Sequence, residues 1–247
     1  MTTNGANSNG TPFYKRIILK LSGEALAGRG SSGIDPTTAK GIATKIKSIH
    51  QLGVQIGVVI GGGNLWRGAT GVALGMAQST ADHMGMIATV MNALALQDAL
   101  EHLDVRTRVQ TAVHMNTVAE PYIRLRAIRH LEKGRVVIIA GGTGNPYFTT
   151  DTAAALRAME IEADIVIKAT KVNGVYSADP HKDPTATRFE TLTFQQVIDG
   201  RYDVMDMTAF TLCQENNKPI FVVDFWSDDA LVHAVQGKHD VGTLISG

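Results

Sequence analysis

Short runs of β-branched and leucine residues alternate with helical patterns along most of this chain. The strand-like runs fall at 16–21, 55–60, 105–109, 135–140, 164–168 and 220–224, each with the Val and Ile enrichment of a buried strand. The clearest helix between them is predicted to start at Asp35, an N-cap residue, with Pro36 at the first helical position. Ala39, Ile42, Ala43, Ile46 and Ile49 then share one face until Gly53 ends the pattern. A shorter helix is predicted from Thr152 to Met159. A third, over 83–103, carries Met84, Met86, Ile87, Val90, Met91, Leu94, Leu96, Leu100 and Leu103, which wrap more than one face. Such a helix is buried on more than one side, either as a central core helix or as one that also forms a subunit interface. Strand and helix in repetition predict an α/β fold, with a mainly parallel central sheet covered by helices on both faces.

At 247 residues the chain has room for one large α/β domain or two lobes sharing a core. After Lys168 the texture changes to turns such as Asn173-Gly174 and a long loop holding Asp179-Pro180 and Asp183-Pro184. We therefore expect a disordered tail over 1–13, a first lobe over 14–165 and a second over 166–247. Lys plus Arg total 23 and Asp plus Glu total 23, so no global field favours nucleic acid or a membrane surface, and any cationic site is local. The single cysteine, Cys213, excludes an internal disulfide and a cysteine-rich metal cage. The N-terminal residues lack the basic and apolar stretches of a signal peptide, and no apolar run approaches the ~20 residues that cross a bilayer. The expectation is a cytoplasmic protein.

Chemistry concentrates where three strands break into glycine and small polar residues, at 17–23, 58–64 and 136–145. Glycine lets a ligand oxygen approach the main chain, and in a parallel sheet ligands gather beyond the carboxyl ends of the strands. Strand alternation points Lys20 and Ser22 the same way, opposite Leu21, toward the mouth of the first strand. Gly61-Gly62-Gly63-Asn64 supplies amides for a phosphate, and Arg67 offers a planar fork for another. Thr149, Thr150 and Asp151 sit where a helix N-cap belongs, a position that attracts anions. Asp151 is either that cap or the carboxylate that orients Lys20, with Thr149 or Thr150 on the acceptor's oxyanion. No G-x-x-x-x-G-K-[ST] is present, Trp66 interrupts the G-x-G-x-x-G that Gly61 and Gly63 would begin, and H-E-x-x-H is absent.

The strings Lys20 to Leu26, Val59 to Gly68, Asp82-His83-Met84-Gly85-Met86, Gly144 to Asp151 and Lys168 to Tyr176 resemble the bacterial uridylate (UMP) kinases of the amino-acid kinase superfamily. The resemblance implies a three-layer sandwich and phosphoryl transfer from ATP to UMP. It implies that Lys20, Leu21, Ser22, Gly23, Gly63, Arg67, Thr170, Tyr176 and Asp179 border ATP. Gly62, Asp82, Thr143, Gly144, Asn145, Pro146, Tyr147, Phe148, Thr149 and Thr150 would border UMP, with Asp82 on the ribose hydroxyls. Lys20, Arg67 and Asp151 would carry catalysis. The first lobe would bind UMP and form the oligomer, and the second would bind ATP. The resemblance further implies a homohexamer, Mg2+ carried mainly on ATP with no protein ligand named, GTP as activator and UTP as inhibitor. Asp98, Arg108 and Arg135 match the effector site, whereas Gln97 stands where an arginine is often found.

The chemistry is consistent with that expectation on its own terms. A UMP phosphate, with a second pKa near ~6, is largely dianionic at neutral pH, so its attacking oxygen needs no general base. The barrier is anion meeting anion, about 4 kcal/mol per pair of unit charges at ~4 Å and an effective dielectric near 20. Lysine, arginine and main-chain amides answer that need, and no histidine lies in the three loops. Two other readings fit part of the pattern: a sister kinase acting on a carboxylate, and a nucleotide-binding protein without turnover. The first would not need Asp82 placed for a ribose, and the second would have no use for Lys20, Arg67 and Asp151.

Overall fold

The structure, a computed structural model, describes residues 12–28, 30, 32–180 and 182–247. Among the described residues, nine strands form one sheet in the order β4-β3-β5-β2-β1-β6-β8-β9-β7. They are β1 (Arg16–Leu21), β2 (Gln55–Ile60), β3 (Thr107–Thr111), β4 (Glu120–Pro121), β5 (Val136–Ala140), β6 (Ile165–Thr170), β7 (Thr191–Thr193), β8 (Ile220–Asp224) and β9 (Gly242–Ser246). All neighbouring pairs are parallel except β8 with β9. The sheet runs unbroken through both expected lobes, and β6 lies against β1 at its centre.

Helices cover both faces, because alternate residues of each central strand are apolar on both sides. Ile17, Leu19 and Leu21 pack with α1 (Pro36–Gln51), α3 (Gln78–Glu101) and α8 (Ala230–Val235). Ile18, Val59 and Val166 pack on the opposite face with α4 (Arg124–Glu132), α5 (Thr150–Glu160), α6 (Phe194–Asp199) and α7 (Met207–Glu215). A short α2 (Gly68–Ala73) follows the second glycine loop.

Asp35 caps α1 as expected, its carboxylate accepting from Thr37 N and Thr38 N with Pro36 at the first position. In α5 the cap is Thr149, whose hydroxyl accepts from Asp151 N at 3.0 Å and Thr152 N at 3.3 Å. The helix therefore starts two residues before the expected Thr152, and Asp151 is left free of capping duty. Strand β3 lies two residues later than expected, since Val105 belongs to the turn leaving α3. The expected tail falls, over residues 1–11, outside the described residues. Phe13, which that expectation included, donates its amide to Val235 O at 2.9 Å and stacks edge-on against Tyr14.

Candidate active site

Residues 20 and 168 are register partners in the adjacent parallel strands β1 and β6. Neighbouring strands lie about 4.8 Å apart, so two side chains on one face at one register level are forced together. Both point to the α5 face, as Ile18 and Val166 do two residues earlier. Unpaired, two ammonium groups ~5 Å apart would repel by about 3 kcal/mol at an effective dielectric near 20. Asp151, in the first turn of α5, stands between them. Its Oδ1 lies 2.5 Å from Lys20 Nζ and its Oδ2 2.8 Å from Lys168 Nζ. Lys168 Nζ also donates to Val204 O at 2.5 Å.

Burial is the largest single influence on both Lys20 and Asp151. It lowers the pKa of Lys20, aided by the neighbouring Lys168 and opposed by the adjacent Asp151 carboxylate. Burial also opposes ionisation of Asp151, but the Lys20 and Lys168 ammonium groups outweigh it and hold the carboxyl below its ordinary value. The cluster is two cations and one anion, so it keeps a net positive charge at the sheet's carboxyl edge.

Around it lie cavities that divide the expected residues into groups. Lys20, Leu21 and Ser22 line a cavity of 400 Å³ together with Lys168, Thr170 and Trp226. Thr170, Tyr176 and Asp179 line another of 510 Å³, which Lys168 also borders. A third, of 150 Å³, is lined by Gly62, Asp82, Thr143, Asn145, Phe148, Thr149 and Thr150. Thr150 of this last cavity is the chain neighbour of Asp151, so the lysine cluster adjoins it.

Several expected residues are engaged with protein partners. Arg67 is exposed and ion-paired with Glu24, its guanidinium turned to that carboxylate. Gly63 borders none of these three cavities; a Cβ built there would meet only Glu24 Oε1, at 4.0 Å. Gly23 packs so tightly on the second loop that a Cβ would fall 2.5 Å from Gly61 O. The Thr149 hydroxyl is committed to its cap and to Asp206 Oδ2, at 2.5 Å. Asp82 accepts from Gln78 Nε2 and from the amide of Tyr147, each at 2.8 Å, which ties the long helix to the loop carrying Pro146, Tyr147 and Phe148. Gly144, in the same loop, stands against Ala112 at φ 87°, a conformation glycine adopts without strain. Away from the site, Arg108 approaches Glu120 at 3.7 Å, and Arg135 donates to His130, which bonds Glu120 in turn. Asp98 is paired instead with His102.

Two residues of the site escape a reading of apolar pattern. Lys168 gives the same signal as Lys20, a lysine within an apolar strand, but only strand register shows that the two share one carboxylate. Asp206 caps α7 through Ala209 N and also accepts from Thr149 and Thr152, joining the starts of two helices. Its partners lie 57 and 54 residues away, beyond the reach of local signals.

Comparison with known proteins follows the same lines. The model of the amino acid kinase family matches residues 15–224. Among solved structures, the chain is similar to UMP kinase from Bacillus anthracis, with 38% identity, a TM-score of 0.91, and 94% of this chain and 96% of that one covered. UMP kinase from Ureaplasma parvum is 38% identical at a TM-score of 0.89, over 94% of this chain and 99% of that one. Uridylate kinase from Archaeoglobus fulgidus is 30% identical at a TM-score of 0.73, over 93% and 99%.

Proposed function

This chain belongs to the amino acid kinase family, and from that premise we propose that it transfers the γ-phosphoryl group of Mg-ATP to UMP, giving UDP and ADP. The observation that carries the reading is the Lys20–Asp151–Lys168 cluster beside the glycine loops. A UMP phosphate oxygen attacks the γ-phosphorus as the bond to the β-γ bridging oxygen breaks, and the electron pair leaves on ADP. Charge then spreads over the oxygens of the group in flight, where fixed donors act most strongly. Lys20 and Lys168 are such donors, held by Asp151 so that little reorganisation is needed. The cavity bordered by Gly62, Asp82 and Thr150 takes UMP. ATP occupies the cavities bordered by Lys20, Thr170, Tyr176 and Asp179. Residues 14–165 thus serve the acceptor and 166–247 the nucleotide donor. Arg67 joins the catalytic set only by leaving Glu24 for a phosphate.

Magnesium fits this site as a passenger on ATP. Both Asp151 oxygens face ammonium groups, and among the described residues no cluster of His, Cys, Asp or Glu is grouped to hold a metal ion. Bound to ATP oxygens and water, the ion would offset phosphate charge. The same reading carries a homohexamer, supported by the exposed Met84, Ile87 and Met91 on α3. It also carries activation by GTP and inhibition by UTP, with Arg108 and Arg135 drawn into one cluster and Gln97 bonded to Glu101. The reading also carries a place in pyrimidine nucleotide synthesis, supplying UDP, in the cytoplasm. No helix among the described residues is long and apolar enough to cross a membrane.

The test is ADP release with Mg-ATP across UMP, CMP, dUMP, aspartate and carbamate. Turnover confined to UMP is expected, and preference for a carboxylate acceptor would give the reading to a sister kinase.

A further inference from the structure

The glycine loops after β1, β2 and β5 are fixed by one short stretch of α3. Gly85, Ala88, Thr89 and Asn92 share a face at helical spacing, and the last two are polar yet buried, at 2% and 0% exposure. Asn92 Nδ2 donates to Gly61 O and to Asn64 Oδ1, each at 2.7 Å, and its Oδ1 accepts from Asn64 Nδ2 at 3.0 Å. The Gly23 backbone rests on that same Gly61 carbonyl and Asn64 amide. Gly62 presses on the helix itself, where a Cβ would lie 2.9 Å from Gly85 O and 3.2 Å from Thr89 N. On the other side, Thr89 Oγ1 donates to Met86 O at 2.6 Å and accepts from the amide of Gly141 at 2.8 Å. Its single proton is spent on the helix, so a lone pair is aimed at the loop that continues into Thr143 and Asn145.

We propose that Thr89 and Asn92 are positioning residues for the transfer: a buried hydroxyl and a buried amide on one helix face that set the acceptor loop after β5 against the glycine loops after β1 and β2. The inference rests on the function proposed above and goes beyond it by naming two residues whose side-chain polar atoms are spent on the helix and the loops, with Thr89 at the wall of the cavity assigned to UMP. Buried polar groups are kept where their partners matter, because an unsatisfied buried amide is costly. Thr89 acts on the acceptor side alone, whereas Asn92 acts on the loops that flank the lysines. The two substitutions therefore have different kinetic signatures.

Thr89→Val keeps the shape and removes the acceptor for Gly141. It should raise KM for UMP by about tenfold, the scale of one hydrogen bond to a buried amide, with KM for ATP within about twofold. Thr89→Ser, which keeps the oxygen, should restore most of the loss. Asn92→Leu should lower kcat at saturating substrates by at least about tenfold. Hydrogen exchange should quicken at the Gly141 amide in Thr89→Val and stay slow in Thr89→Ser. Equal impairment by Val and Ser, equal effects on both substrates, or variants changed in thermal midpoint alone would overturn the proposal. If Thr89→Val does not fold, Thr89→Ala removes the same oxygen without bulk and is read against Ser in the same way. Absence of UMP turnover in the unsubstituted protein would defeat the function reading, while exchange at Gly141 would still decide the positioning.

Discussion

Lys20 and Lys168 stand on one level of neighbouring strands with a single carboxylate between them, and their arrangement makes removal of each member different in kind. Lys20→Ala or Lys168→Met leaves Asp151 with one partner and takes a cation from the transferring group. Steady-state kinetics should show kcat down by about 10²–10³-fold, as for loss of one preorganised donor, with UMP binding by calorimetry retained. Loss of binding with turnover intact would contradict the role. Asp151→Asn instead leaves the buried Lys20 ammonium and the partly buried Lys168 ammonium facing each other. Breaking a buried pair from one side costs about 3–5 kcal/mol, measurable by denaturant unfolding at neutral pH. The sign of the pH dependence follows from the depressed Asp151 pKa. A carboxyl more acidic folded than unfolded contributes stability that is complete above the unfolded value. It is lost as pH falls through the lower folded value. Acid titration of the unfolding free energy should therefore show a steeper fall in the parent than in Asp151→Asn. Parallel curves would mean that Asp151 is not held ionised by the lysines. Of these residues, Asp151 stands out in the sequence at the start of a helix, and Lys20 because it interrupts an apolar strand. Lys168 interrupts one as well, and its meaning depends on register that no local window contains.

Elements whose apolar residues do all their own packing are the ones the chain announces. Strands β1, β2 and β8 coincide with their expected ranges, and α1 begins at the expected cap. Strand β3 slips because Gln110 and Thr111 are fully buried in it while Val105 packs from a turn, so apolarity and strand cease to coincide. Helix α4, rich in arginine, buries only Ala127 and Leu131, and three-residue β7 buries only Leu192. Neither carries enough periodicity to read, and both owe their form to the sheet already built beside them. The glycine breaks were legible as loops, but not the reason for each glycine. Gly23 is required by contact with another loop, since a Cβ would meet Gly61 O at 2.5 Å and Gly61 C at 2.7 Å, both main-chain atoms that cannot rotate away. Gly23→Ala should then push the first loop off the second. We expect kcat/KM for ATP to fall by at least about tenfold, a 1.4 kcal/mol loss of transition-state stabilisation. Gly33→Ala is not an equivalent control, because Gly33 sits at φ 88° with open space around it and suffers from backbone strain instead. Gly41→Ala, in a helix with nothing within 4 Å, is the proper one and should leave kinetics unchanged.

With 23 positive and 23 negative side chains the molecule has no net charge to draw anions from a distance, so on the proposed function recognition falls to Lys20, Lys168 and the loops held by α3. That helix has two faces with different work. One carries Thr89 and Asn92 into the site; another exposes Met84, Ile87 and Met91 at 37%, 46% and 51%. These three positions follow the i, i+3, i+7 spacing of a single stripe. The sequence shows this helix to be apolar nearly all round and leaves open whether it is only a core helix. The exposed stripe favours the second alternative, a helix shared between the core and a subunit contact. Ile87→Glu tests it with little confounding from folding, since a surface substitution of this kind shifts monomer stability by about 0.5 kcal/mol or less. A charge buried at the centre of a contact between copies would cost far more than that. Sedimentation should show a smaller species than the parent at equal concentration, with the secondary structure by circular dichroism unchanged. An unchanged sedimentation coefficient would place the subunit contacts on other surfaces. Because Ile87 neighbours Ala88 and Thr89 on the same two turns, loss of the contact should also loosen the Gly141 amide, read by hydrogen exchange, even though no substituted atom touches the site.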